Sequence, residues 1–548
     1  MTPIPEIDLN QIADENMRQL VRSLLNIIEE LSADNGRLRE DNQQLRDEIN
    51  RFKGEHGKPN IKPGKPQQNH SSEKERGQPR RHQKKSKRSE IRIEREEVLA
   101  VDRAHLPPDA VFKGYEDVVV QEIALHTDNI LFRKERFYSA SEGKTYLAAL
   151  PAGYAGAFGP NLRTQVLILY YACQMTEPKI RTWLEQLGID ISEGTISNML
   201  IKGHTAFHEE EASSYDASLA NCPWQHIDET GTRVNGENHY CHIVDSPLAT
   251  HYQTTPTKSR LDVLKVLRNR RPVAFRNNDA AWQLVKALRV PKYALRQLLG
   301  LCPNREYSAA FMSDWLDRRL PKLSNPHRVS ILSSLAVAAY HASTGYPVVR
   351  LLLCDDAPQF QWVTEELALC WIHEGRHYKK LSPVVPAHQR AQKRFLQAFW
   401  RFYRTLNRYR DAPTPEKATW LGRYFDRLFG TRTGYADLDK LIARTQRHKT
   451  HLLMALTHPE IPLHNNPAEL GARQRVRKRK ISFGPRVAEG VKAWDTFMSL
   501  VETTRKLGVN FLDYILDRIM GTGNIPSLPD LIVARARQLD PGASWQGT

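Results

Sequence analysis

A chain of 548 residues is long enough for several domains and at least one large core. Its formal net charge of +17 points to a polyanionic partner, nucleic acid ahead of an acidic membrane surface. The cysteines (Cys173, Cys222, Cys241, Cys302, Cys354 and Cys370) are scattered without a Cys-x-x-Cys pair, which argues against a disulfide framework and fits a reducing cytoplasm.

The N-terminal sequence has no basic-then-apolar signal pattern, and the most apolar run, Ile331–Tyr340, is too short and serine-broken to span a bilayer. No membrane role is expected. Residues 14–52 read as a coiled coil. Met17, Leu24, Leu31, Leu38, Leu45 and Phe52 recur every seven residues at d, while Val21, Ile28, Asn35, Asn42 and Ile49 fill a. Asparagine at a costs stability but selects a two-stranded, in-register pairing, so a homo-oligomer is expected.

Residues 53–92 are rich in Gly, Pro, Gln, Ser and charge and read as a flexible basic linker. Arg80, Arg81, Lys84, Lys85, Lys87 and Arg88 are able to track DNA phosphates there without reading sequence; a solvated tether is the bland alternative. Residues 93–155 read as a small β-rich module, with strands expected at Val118–His126, Ile130–Ser139 and Lys144–Leu150. A helical module over 156–215 follows, with helices at Asn161–Ala172, Glu177–Leu187 and Ser192–Ile201. Gly188 before the last helix suggests a helix-turn-helix for a major groove, against a plain bundle.

From Pro223 the pattern alternates. Trp224–Val234, a turn at Asn235-Gly236 and His239–Asp245 form an expected hairpin, Ala249–Gln253 supplies a third strand, and a helix begins near Ser259. Pro347–Cys354 is apolar except for Arg350 and reads as a strand of the fully buried type, and it ends in Asp355-Asp356. Carboxylates just past such a strand are where α/β sheets place their chemistry. Leu367–Ile372 is the next candidate strand. Residues 260–345 and 387–457 read as helical insertions within a catalytic domain over 220–510, and 511–548 as a polar tail.

One late helix organises the reading. Asn466 is a candidate cap and Pro467 suits the first helical position. Glu469, Arg473 and Arg477 then share a face, and the cationic stripe runs on through Arg475, Lys478, Arg479 and Lys480. A carboxylate at the mouth of such a stripe suits a metal held against a phosphate backbone; the bland reading makes Glu469 a capping-box partner. Asp228, Asp355 and Glu469 thus sit on separate elements of an α/β pattern. Gathering them is costly unless cations neutralise them, and hard oxygen ligands favour Mg²⁺, two per site by this reading, with Mn²⁺ as a substitute. Such a pair serves in-line phosphodiester chemistry. No Walker loop or dinucleotide fingerprint occurs.

These motifs resemble bacterial DDE transposases of the insertion-sequence-66 family. The resemblance rests on His-Ile-Asp228-Glu-Thr-Gly, on Cys-Asp355-Asp-Ala-Pro-Gln-Phe360, on Cys370-Trp-Ile-His373-Glu-Gly-Arg376, and on Asn465-Asn466-Pro-Ala-Glu469 with the Arg-Lys-Arg-Lys-Ile-Ser-Phe that follows. It covers most of the chain from about residue 95 onward. It implies a ribonuclease-H-like core, Mg²⁺-dependent cutting at element ends, strand transfer into target DNA, a cytoplasmic setting, and accessory proteins of the same element as further partners. In such enzymes the second acid commonly lies five residues before an aromatic, which favours Asp355, with Asp356 kept as the alternative. Arg376 is either a phosphate contact or an ion-pair partner. Many relatives carry paired cysteines ahead of the core; residues 93–120 contain none, so no zinc is expected there.

Cys370, His373 and His377 have metal-ligand spacing but lack an evident fourth ligand, and a structural role at a strand end is favoured. His226 is read as structural, and Glu229 as pointing away from Asp228. The competing readings are a dimeric DNA-binding regulator without catalysis and a nuclease that cuts without joining.

Overall fold

The computed structural model of the chain describes residues 7, 9–52, 92–102, 106–107, 110–154 and 156–545. The basic run from Arg80 to Arg88 lies outside the described residues. Helix α1 (Glu15–Phe52) covers the expected zipper. Its d-position side chains Met17, Leu24, Leu31, Leu38 and Leu45 stand exposed along one side. The opposite side docks on the body of the same chain. Leu25 is buried there, and Glu29 accepts hydrogen bonds from the backbone N–H groups of Val384 (2.9 Å) and Val385 (2.8 Å).

The β-rich module is smaller than expected. Among the described residues of this module only β1 (Arg136–Ser139) and β2 (Lys144–Leu147) pair, antiparallel, around Gly143 in a left-handed conformation (φ +61°). Val118–His126 forms no strand, and Val118, Val120 and Ile123 are exposed. Alternation alone does not make a strand: its backbone groups need a neighbour, and no described strand lies alongside.

The helical module begins with α2 (Pro160–Leu167), which passes into a π-helical turn, Ile168–Ala172. Helices α3 (Glu177–Gln186) and α4 (Glu193–Ile201) flank a turn containing Gly188 (φ +74°). Ser192 caps α4 by accepting the Thr195 N–H at 3.2 Å. Helix α5 (Thr205–Asn221) leads into the sheet.

The central sheet is built from β3 (Trp224–Val234), β4 (Glu237–Asp245), β5 (Thr250–Thr255), β8 (Leu351–Cys354) and β9 (Glu366–Leu369), in the order β5-β4-β3-β8-β9. β3, β4 and β5 are antiparallel; β8 and β9 run parallel to β3. The β3–β4 turn places Asn235 and Gly236 at φ +49° and +84°, the two positive values a type I′ turn requires. β8 has every residue buried, as its unbroken apolar run demands.

Between β5 and β8 lie α6 (Arg260–Leu267), the short pair β6 (Phe275–Arg276) and β7 (Glu306–Tyr307), α7 (Asp279–Ala287), α8 (Lys292–Leu298), α9 (Ala309–Arg319) and α10 (Asn325–His341). After β9 come α11 (Trp371–Lys380), α12 (Pro386–Asp411), α13 (Pro415–Phe429), α14 (Ala436–Arg447) and α15 (Lys449–Leu452). Trp371, Phe399, Phe402, Phe425 and Phe429 form the aromatic heart of this second helical insertion, and it is continuous with the core beneath the sheet.

The chain ends in α16 (Asn466–Ser482), α17 (Ala488–Leu507), α18 (Phe511–Met520) and α19 (Leu528–Leu539). The expected polar tail is therefore folded. Leu528, Ile532 and Ala536 on α19 are buried, and Trp224 donates its indole N–H to the Pro541 carbonyl at 2.8 Å. The helical module is not separate either. Val166, Ile180, Ile196 and Leu200 share one core with Ala493, Trp494, Phe497 and Tyr514. Short helices bury too little surface among themselves, so α17 and α18 complete their core.

Candidate functional site

Register brings the first two acids together. His226 on β3 lies opposite Leu353 on β8, so continuing by two residues sets Asp228, in the middle of β3, beside Asp355, just past the C-terminal end of β8. Asp228 accepts the Glu229 N–H at 2.8 Å, and Asp355 accepts the Ala357 N–H at 3.1 Å. Asp356 turns elsewhere and pairs with Arg444 and with His377 (3.7 Å). Adjacent residues leaving a strand face opposite sides, which separates the two aspartates as expected.

The third acid arrives on α16. Its N-terminal cap is Asn465, not Asn466, and the Asn465 side chain does not cap the helix. It reaches into β3 instead, donating from Nδ2 to the Ile227 carbonyl (2.6 Å) and accepting from His226 Nδ1 at Oδ1 (2.9 Å). The Asn465 N–H is directed at Cys370 Sγ, 3.2 Å away, and Glu469 follows one turn later, its N–H bonded to the Asn465 carbonyl at 3.1 Å. Gly471 lets α16 lie close on the sheet. A Cβ there would sit 2.7 Å from Ile243 Cγ2 and 3.1 Å from Tyr252 Oη.

Asp228 feels the charges of the other two acids. Burial, with the charges of Asp355 and Glu469 added, pushes Asp228 up to about 7 although the Glu229 N–H opposes it. Glu229, set aside on strand alternation, borders the same site. It accepts from Gln359 Nε2 at 2.6 Å and pairs with Lys258 at 3.1 Å; burial and the Asp355 charge raise its carboxyl.

Glu469 already faces cations. Arg376 Nη2 donates to Glu469 Oε2 at 3.0 Å, and His373 Nδ1 lies 3.5 Å from Oε1. Arg376 therefore has an ion-pair partner in Glu469. Cys370, His373 and Glu469 each offer a ligand atom within 4.8 Å of the others. Glu469 thus takes the place given to His377 in the sequence-based set. His226 is buried and lowered to about 4 by that burial, with its ring turned to Asn465, in keeping with a structural role.

The cationic stripe divides. Arg473, Arg477 and Lys480 are exposed and Arg479 is half-buried, bonded to the Gly231 carbonyl. Arg475 and Lys478 are 0% and 1% exposed, so they are not part of a DNA-facing surface. Arg475 pairs with Asp495 at 3.2 Å and donates to Thr254 Oγ1 at 2.9 Å. Lys478 donates to the Tyr170 carbonyl at 2.6 Å and sits 3.1 Å from the centre of the Tyr170 ring; burial lowers it to about 7. The cause is helical geometry: Ala468, Gly471, Ala472, Arg475 and Lys478 form the face that α16 buries. Sequence spacing identifies a basic helix but not which of its cations turn inward.

Among the described residues no helix is long and apolar enough to cross a membrane. Residues 155–276 and 344–493 match the profile of the family described as "Transposase IS66 family". The chain is also 33% identical over 324 residues to "Uncharacterized protein y4jO" of Sinorhizobium fredii (strain NBRC 101917 / NGR234), covering 58% of this chain and 99% of the relative. No solved structure matches. The segment 277–343, carrying α7 to α10, falls between the two matched stretches, where a helical insertion was expected. With the matched stretches framing all three acids, and a basic chain suited to DNA, this protein belongs to the IS66 family of transposases.

Proposed function

We propose that the chain cuts DNA at the ends of a mobile element and joins them to a target by divalent-cation-dependent phosphodiester transfer centred on Asp228, Asp355 and Glu469. The observation that carries the reading is the placement of these acids within β3, just past the end of the adjacent parallel β8, and on the first turn of α16, with Asp228 raised by burial and, to a lesser degree, by the charges of the other two. The sheet order, three antiparallel strands followed by two parallel ones, agrees with a ribonuclease-H-like core.

The donor set fits Mg²⁺: half-buried carboxylate oxygens whose mutual repulsion a cation relieves. Mg²⁺ held by Asp228, Asp355 and Glu469 would supply activation of a water or 3′-hydroxyl and charge stabilisation for the leaving oxygen. The chain's own residues supply the rest. Asn465 fixes the start of α16 on β3 so that Glu469 is held near Asp228 and Asp355. Arg376, resting on Glu469, is placed to turn towards a phosphate once that carboxylate is otherwise neutralised. Arg473 and Arg477 project from α16 to hold the DNA backbone, and α3 and α4 serve as a helix-turn-helix. The exposed seam of α1 pairs two copies.

The test is cleavage and strand transfer on end-containing DNA with Mg²⁺, alongside thermal stabilisation by Mg²⁺ in the absence of DNA. Glu469→Gln and Asp228→Asn are expected to lose both, and Asp356→Asn to keep the metal response. Equal cutting by native chain and Glu469→Gln removes Glu469 from the role, and cutting without joining reduces the protein to a nuclease.

A further inference from the structure

The Ile-Ser-Phe-Gly that closes the basic helix has no part in the chemistry above. Phe483 is the C-cap of α16, held in the left-handed region at φ +61°, and 85% exposed. A large aromatic in that conformation is strained, and strain of this kind persists only where its surroundings impose it. They do so here. Gly484 follows at φ +117°, packed so tightly that a Cβ would lie 2.5 Å from the Arg233 carbonyl oxygen. The Asn235 N–H then bonds the Pro485 carbonyl at 3.1 Å, locking the turn to the tip of the β3–β4 hairpin. The turn that holds the ring in water is thus rigid.

Phe483 borders a groove of about 620 Å³ between the hairpin and α16, whose other walls include Arg233, His239, Tyr240, Arg479 and Lys480. No carboxylate lines it among the described residues. Lys258, paired with Glu229, lies 5.7 Å from the centre of the Tyr240 ring beside the groove. Cations interleaved with exposed rings are the surface that single-stranded nucleic acid uses: the charges follow the phosphates and the rings stack on bases. A duplex keeps its bases stacked inside, so an aromatic presented to solvent gains little from it. The groove begins at Gly231, three residues along β3 from Asp228, or about 10 Å, roughly the rise of three stacked nucleotides.

We infer that this groove is a binding site for an unpaired nucleotide of the DNA strand next to the cut, with Phe483 as the platform on which its base stacks. The inference rests on the DNA-cutting reading for its biological setting but not on the metal chemistry, so it is tested without metal. The full-length chain is titrated, in chelator, with a blunt DNA duplex and with the same duplex bearing a short single-stranded tail that contains 2-aminopurine. The native chain is expected to bind the tailed DNA more tightly and to quench the tail's fluorescence. Phe483→Ala, which removes an exposed side chain, is expected to lose the quenching and roughly ten- to a hundredfold of affinity for the tailed DNA, keeping its affinity for the blunt duplex. Phe483→Trp is expected to restore both. Quenching that survives in Phe483→Ala, or a tail that adds no affinity, overturns the inference while leaving the DNA reading intact. Failure of the native chain to bind either DNA overturns both. Loss of self-association in Phe483→Ala, with unchanged quenching, makes the ring a contact between copies and also overturns it.

Discussion

Asn465 and His226 share a 2.9 Å hydrogen bond in the interior, and through it the start of α16 is tied to the strand that carries Asp228. A second bond, from Asn465 Nδ2 to the Ile227 carbonyl, makes the tie bidentate. Asn465→Ala leaves all three acids in place but frees the helix start. We expect a loss of stability of about 1–3 kcal/mol by chemical denaturation, since buried partners are left unsatisfied. Mg²⁺ is expected to restore less stability than in the native chain. Undiminished stabilisation by Mg²⁺ would show that Asn465 does not position Glu469.

Arg475 and Arg473 are two residues apart and have opposite fates. Arg475→Ala strands Asp495 in the core and is expected to cost about 3–5 kcal/mol. Arg473→Ala is expected to leave stability unchanged, weaken duplex binding, and lower the salt slope of the binding constant by about 1. Binding isotherms at several salt concentrations, with denaturation curves for each variant, separate the two. A weakened salt slope in a folded Arg475→Met chain would contradict the buried assignment.

The raised carboxyl of Asp228 fixes the sign of a pH effect. The folded chain retains a proton that the unfolded chain releases near the ordinary value of 3.8. Metal-free stability therefore falls as pH rises from there to about 7 and levels off above it. Asp228→Asn is expected to remove this contribution to the slope and to stabilise the metal-free chain above pH 7 by roughly 2–4 kcal/mol. Mg²⁺ stabilisation of the native chain should strengthen across the same interval. Parallel slopes for native and variant chains would refute the assignment.

Helix α1 has two distinct sides. Leu31→Lys with Leu38→Lys alters the exposed seam and is expected to reduce the assembly state in sedimentation without changing the melting of the body. Glu29→Gln acts on the docked side, where the carboxylate meets the Val384 and Val385 N–H groups and His388 Nδ1 (3.2 Å). It is expected to speed proteolysis of α1 while leaving sedimentation unchanged.

Much of the sheet was legible because its local signals agree. Trp224–Val234 was read with the bounds the structure gives it, and the Asn-Gly turn and the buried run ending at Cys354 each have one physical solution. Alternation gave Asp355 and Asp356 different faces, and Asp356 pairs with Arg444. What escaped depends on partners distant in sequence. Nothing local distinguishes Arg475 from Arg473 until Asp495 arrives, and Val118–His126 alternates like a strand but lacks a neighbour to pair with. Glu229 was set aside because neighbours on a strand face apart, and the Asp355 charge that reaches it comes from the loop after β8, which the sequence of β3 does not reveal. The folded C-terminal segment was missed because α19 shows its apolar side only against α5.

That last packing bears on synthesis. Trp224, at the head of the first core strand, is capped by a carbonyl at Pro541. A ribosome must therefore deliver nearly the entire polypeptide before the sheet is closed from behind. Copies of the gene interrupted late in their reading frame would yield proteins with all three acids but an open interior, prone to degradation rather than to partial activity.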